Sequence, residues 1–204
     1  MKSLHPPHGF TIVEMLVAIA TVAILAILAV QAGGRIHERT QQAGCLSNLR
    51  LLHLFLNAYA TENNDSFPPG YISAAANGGK STTWVLELRR YSGEIYSNPA
   101  KKEGLPYCPA TRLNGQVPFQ RDSRTWKTDY NANGLVLSAT SSKNKRTTTN
   151  PRAILLFDGG GRTSNNAGQA LPHLRHWEHF NVIFVDGHAE LGSSFDGYAD
   201  RWAR

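Results

Sequence analysis

The chain has 204 residues, 41% of them hydrophobic, which suits one domain with a core plus an appendage and is too short for a multidomain enzyme. Its formal charge of +6 permits contact with nucleic acid or anionic surfaces but falls short of the dense basic stripe that would require it. Only two cysteines, Cys45 and Cys108, are present, which excludes a disulfide-dense scaffold and a four-cysteine zinc module.

The first element is the apolar run from Phe10 to Val30, whose one formal charge is Glu14. As a helix rising ~1.5 Å per residue it spans roughly 30 Å, the thickness of a bilayer core. A carboxylate at the centre of such a helix costs on the order of 2.5–3.5 kcal/mol; Glu14 lies one turn from the start, where unpaired backbone N–H groups favour negative charge. Two plain readings are a secretory signal, with Lys2 as its basic end and Val30-Gln31-Ala32 as its cleavage site, and an uncleaved anchor. The run is longer than a usual signal core, and a carboxylate serves nothing in a segment that is discarded.

A third reading takes Gly9-Phe10 as a cut site before the apolar run. Gly9, Phe10, Thr11, Ile12, Val13, Glu14, Met15, Leu16 and Val17 resemble the prepilin-type cleavage and methylation signal of type IV pilins and type II secretion pseudopilins. The resemblance implies that a prepilin peptidase, a membrane aspartyl enzyme, cuts after Gly9 and methylates the amine of Phe10. It further implies that Glu14 meets the N-terminal amine of a neighbouring subunit during assembly. The physics agrees, because a carboxylate and an ammonium are each costly alone in hydrocarbon and favour a neighbour that supplies the opposite charge. Arg35 and Arg39 follow the run while Lys2 alone precedes it, so the positive-inside rule adds little to the required orientation.

Beyond Val30 no proline occurs until Pro68, and Cys45, Leu49, Leu52, Leu56 and Tyr59 recur at three- and four-residue steps, a stripe that buries one helix face. The helix is expected to continue to about Thr61, with a bend at Gly33-Gly34, and to end before Asn63, Asn64, Asp65 and Pro68-Pro69-Gly70. The expected segments are therefore a leader at 1–9, a transmembrane half-helix at 10–30, an amphipathic half at 31–62 and a globular body at 63–204.

In the body a short helix is expected at Thr82 to Tyr91, and strands at Leu135-Leu137, Ala153-Phe157 and Asn181-Val185. Asp186-Gly187 separates two strand-like runs as a hairpin turn does. The polar, basic stretch from Ser138 to Asn150 is expected to be a mobile surface loop. The fold class is α+β: a long N-terminal helix packed on a small antiparallel β-sheet, pilin-like. A second resemblance supports this. His176, nine intervening residues and Asp186-Gly187, together with Cys45-Leu46-Ser47-Asn48-Leu49-Arg50, Cys108-Pro109 and Asp158, are similar to motifs of a large group of bacterial pilin-like proteins without a settled biochemical activity.

Several candidate sites follow. Asp158, His176, Asp186 and His188 are candidate metal ligands, although a strand over 180–185 places His176 and Asp186 at its opposite ends unless the preceding segment folds back. His173 and His179 do not complete a compact site with His176 at three-residue steps. Ca2+ is the better-motivated ion, since the resembled major pseudopilins often hold one in a C-terminal loop. Asp158, Asp186, Asp196 and Asp200 are the available carboxylates, and Asp158 approaches Asp186 only if their strands end on the same side of the sheet. Cys45 and Cys108 are a candidate disulfide between helix and loop in the periplasm, one that the entropic model credits with roughly 4 kcal/mol. Lys143, Lys145 and Arg146 lack the interleaved aromatics of a single-strand surface, so nucleic acid is not an expected partner. Gly159-Gly160-Gly161 lacks the Lys-Ser/Thr of a phosphate loop, and no activated nucleophile or carboxylate pair is present, so no enzyme is expected. The expected function is a subunit of a type II secretion pseudopilus or type IV pilus-like filament, in the bacterial inner membrane with its body in the periplasm. Its partners are then prepilin peptidase, other pilin subunits and membrane lipid. The alternative is an anchored monomer whose body binds a polymer, protein, DNA or ion.

Overall fold

The computed structural model describes residues 10–80, 82–92, 104–105, 107–110, 128–138, 144–159, 172, 174–194, 198 and 201. The chain forms two compact units, 1–39 and 40–204. Helix α1 runs Ile12–Glu62 without a break at Gly33-Gly34.

The first unit holds the membrane-length part of α1. Ile12–Val30 is long and apolar enough to cross a bilayer, and none of it is buried. Its start is fixed by a reciprocal cap. The Thr11 N–H donates to Glu14 Oε2 at 2.8 Å and the Glu14 N–H donates to Thr11 Oγ1 at 3.3 Å, while the Thr11 hydroxyl also donates to that carboxylate at 2.9 Å. This is a capping box, in which the third residue of the helix satisfies an N–H that has no partner within the helix.

The second unit is built on the remainder of α1. Cys45, Leu49, Leu52, Leu56 and Ala60 are fully buried along one face, and Tyr59 packs at its edge. Each buried leucine contributes about 1.5–3 kcal/mol. The compact division at 39/40 thus joins most of the expected amphipathic half, 31–62, to the body. The helix ends where Asn64 and Asp65 adopt left-handed φ of 53° and 59°, with the Asp65 N–H donating to Ala60 O at 2.8 Å.

Next come β1 (Tyr71–Ile72), β2 (Thr82–Thr83) and α2 (Trp84–Ser92). β1 and β2 pair antiparallel, and Thr83 Oγ1 accepts from the Leu86 N–H as the α2 cap. The main sheet has the order β3-β4-β5-β6, antiparallel throughout: Tyr130–Ala132, Ile154–Asp158, Phe180–Phe184 and Ala189–Gly192. The chain is therefore α+β, with an apolar N-terminal helix and small antiparallel sheets.

β4 and β5 are buried on both faces. One face carries Leu155, Leu156 and Ile183 into the cluster that holds the α1 leucines; the other carries Ile154, Phe157, Phe180, Val182 and Phe184 into a second cluster with Tyr198. The ladder slips between Ile154 and Leu156. That irregularity sends Leu155 and Leu156 to the same side, so Asp158 faces α1 rather than the second cluster, where strict alternation from Ile154 would have put it.

Two expectations are corrected. Leu135-Leu137 is a turn: the Leu135 N–H bonds the Asn133 side chain, and the Val136 and Leu137 N–H groups bond Asn133 O. Side-chain competition for backbone donors ends β3 there, although Val136 and Leu137 remain buried. The described part of the expected mobile loop, 144–150, is anchored. Asn144 is buried and exchanges two 2.7 Å bonds with the Ser138 backbone; Ser66 bridges Lys145, and the Arg146 guanidinium meets Asp65 at 2.7 Å.

Candidate functional site

Four side chains from four segments of the second unit converge on one buried point. Cys45 comes from α1, Cys108 from the segment 107–110, Asp158 from the end of β4 and His176 from the turn before β5, and their ligand atoms all lie within 4.8 Å of one another. Cys45 Sγ is 2.6 Å from Cys108 Sγ and 3.0 Å from Asp158 Oδ1. His176 Nε2 is 3.5 Å from both Cys108 Sγ and Asp158 Oδ2.

Each group is positioned by its surroundings. Asp158 Oδ2 accepts from the Asn181 N–H at 2.7 Å and from its side-chain amide at 3.0 Å, which leaves Oδ1 directed at Cys45. The Cys108 N–H donates to Asp129 Oδ2 at 3.0 Å. The buried Arg175 guanidinium donates to Asp129 O at 2.8 Å and to Gly159 O, tying the start of β3 to the end of β4. Tyr130 Oη lies 3.3 Å from Cys45 Sγ.

His176 is placed by a tight turn. His176 and His179 exchange both backbone hydrogen bonds at 3.1 Å, with Trp177 and Glu178 between them at φ of 50° and 61°. Two left-handed residues in a two-residue loop are the signature of a type I′ hairpin, normally filled by Asn and Gly. Trp and Glu pay a steric penalty there, on the order of 1–2 kcal/mol each, that the surrounding contacts must offset.

The four groups polarise one another. The hydrogen bond from Cys45 is the largest influence that lowers Cys108, to about 6, against burial and with help from His176. Burial opposes a charged His176, but its bonds to Asp158 and Cys108 outweigh that and raise it to about 9. Burial, more than any other influence, pushes the Cys45 thiol well up. The same contacts thus act in opposite senses on the two partners, lowering Cys108 and raising His176.

The sequence candidates are thus divided. Asp158 and His176 meet, but not with Asp186 and His188. β4 and β5 are antiparallel, so Asp158 closes one end of the sheet and Asp186 follows β5 at the other, where its N–H bonds Pro151 O. The fold-back before β5 does occur, and it carries His176 to Asp158. Asp186 and His188 form an exposed pair, Oδ1 to Nδ1 at 2.5 Å, extended by Glu190 and Arg201. Asp158 and Asp186 cannot share a calcium ion in this arrangement. Gly9, His173, Asp196 and Asp200 lie outside the described residues. Cys45 and Cys108, the candidate disulfide pair, lie with their sulfurs 2.6 Å apart and are not joined by a disulfide in this structure. Phe10 is exposed.

Sequence reasoning missed Tyr130, Asn181 and Arg175, which no local pattern marks. It also missed the Thr11-x-x-Glu14 capping box, which the spacing does mark. The chain matches no family model, no curated protein and no solved structure.

Proposed function

We propose that the chain is a prepilin-like subunit, cut after Gly9 and assembled through α1 into a type II secretion pseudopilus or type IV pilus-like filament. In this reading the body, 40–204, is carried in the periplasm. The observation that supports it is the fully exposed apolar segment Ile12–Val30 with Glu14 as its one formal charge. Twenty or so apolar residues need lipid or other helices around them. A carboxylate in that setting gains from a neighbouring subunit's ammonium.

The capping box favours a second reading, an anchored monomer in which Glu14 serves only its own helix start. The two separate on one substitution. Gln at the third helical position still caps, as Glu does, but carries no charge.

The test expresses the full chain with a prepilin peptidase and determines the N-terminal residue of the membrane-bound product, then looks for filaments by electron microscopy. Processing to methylated Phe10, filaments from the wild type and none from Glu14→Gln fit the subunit. A chain that keeps Met1, or filament formation indifferent to Glu14→Gln, sinks it.

A further inference from the structure

We propose that Cys45, Cys108, Asp158 and His176 form a closed structural zinc site that clamps α1 to the sheet. The inference goes beyond the filament reading and does not depend on it, because all four residues belong to the second unit.

The donor set carries the choice of metal. Two sulfurs, one imidazole nitrogen and one carboxylate oxygen are the donors zinc takes in tetrahedral sites, whereas Ca2+ and Mg2+ require oxygens throughout. Bonds of about 2.0–2.3 Å place tetrahedral ligand atoms roughly 3.3–3.8 Å apart. The contacts of His176 Nε2 with Cys108 Sγ and Asp158 Oδ2, both 3.5 Å, already fall in that range. Cys45 Sγ faces the other carboxylate oxygen, Oδ1, at 3.0 Å, so donation through a single oxygen requires a small rotation of the carboxylate, and the two sulfurs, at 2.6 Å, must separate by about 1 Å.

Burial supports the same conclusion. All four residues are buried, Cys45 and Asp158 completely. A divalent cation would neutralise thiolate and carboxylate charge that is otherwise expensive away from water. A disulfide would use only two of the four groups and leave the Asp158–His176 pair beside it, whereas one ion uses all four. The outer contacts also fit. Asn181 orients the Asp158 carboxylate, and Tyr130 sits at hydrogen-bond distance from Cys45 Sγ, the kind of second layer that fixes metal ligands. Four buried protein donors fill a tetrahedral shell, which is the closed arrangement of structural zinc sites. It joins residues 45, 108, 158 and 176 with one ion.

The experiment uses the untagged full chain, purified in detergent with a reductant, stripped with a chelator and then given Zn2+ alone. Metal content after removal of free ions, thiol accessibility and the visible spectrum of the Co2+ form are read together. We expect one zinc per chain, protection of both thiols by the metal, and tetrahedral Co2+ bands with thiolate charge transfer. Cys108→Ser and His176→Ala should each weaken zinc binding by at least about tenfold. Because the Co2+ spectrum needs only the wild type, a variant that fails to fold does not spoil the test. The proposal is overturned if the reduced wild type retains no more zinc than the same chain with alkylated thiols. It is equally overturned if the chain isolated without reductant is metal-free with Cys45 and Cys108 joined, lighter by two hydrogens.

Discussion

Replacing Gly187 by Ala tests how the β5–β6 hairpin is seated against α1. Gly187 has φ +89°, and a Cβ there would lie 2.8 Å from Cε1 of His53 on the helix. The backbone term, an L-residue held left-handed, is about 1–2 kcal/mol. The contact term arises because the His53 ring must move, and His53 Nε2 is bonded to Val185 O at 3.1 Å. Losing that bond adds about 0.5–1.5 kcal/mol, so Gly187→Ala should cost roughly 1.5–3.5 kcal/mol. In a His53→Ala background the contact term is already gone, and the same change should cost only the backbone term. Urea unfolding of the full chain in non-ionic detergent, followed by near-ultraviolet circular dichroism, gives the four stabilities of the cycle. Effects that add to within about 0.3–0.5 kcal/mol would refute the helix–hairpin contact. A neutral Gly187→Ala would refute the left-handed turn as well.

Leu52→Ala removes a fully buried side chain from the centre of the α1 stripe and should destabilise the chain by about 2–5 kcal/mol in the same assay; a loss below about 1 kcal/mol would mean that this face is not packed. Asp65 is held below its ordinary value of 3.8 chiefly by hydrogen bonding from Thr147, with Arg146 adding to it. Its folded value is depressed, so its contribution is present above about 3.8 and is lost as pH falls from there through the lower folded value. Asp65→Asn should therefore show a shallower loss of stability than the wild type on acidification below about pH 4, and parallel curves would contradict the assignment.

Much of the architecture was legible because its signals are local. The leucine stripe from Cys45 to Leu56 follows a helical period, so the buried face of α1 is readable from spacing alone. Asp186-Gly187 names its own hairpin, since Gly accepts the left-handed φ the turn requires. Leu135-Leu137 misled because apolar content is shared by strands and buried turns. What separated them was the Asn133 side chain bonding its own backbone two residues on.

The site was only half legible. Cys45, Cys108, Asp158 and His176 all belong to the motifs of the second resemblance, but as site candidates they fell into different hypotheses, a disulfide and a metal set with Asp186 and His188. Residue types and spacings determined the long apolar helix, its single carboxylate, the buried helix stripe and the short strands. Tertiary structure alone decided which of the marked residues meet. Three features did so: the antiparallel β4–β5 pairing that sends Asp158 and Asp186 to opposite ends, the slip in β4 that turns Asp158 toward α1, and the left-handed Trp177-Glu178 turn that folds His176 back onto it. A one-residue slip reverses the face of every side chain after it, and turns reverse the chain at points that sequence spacing does not measure, so neither leaves a periodic trace in the sequence.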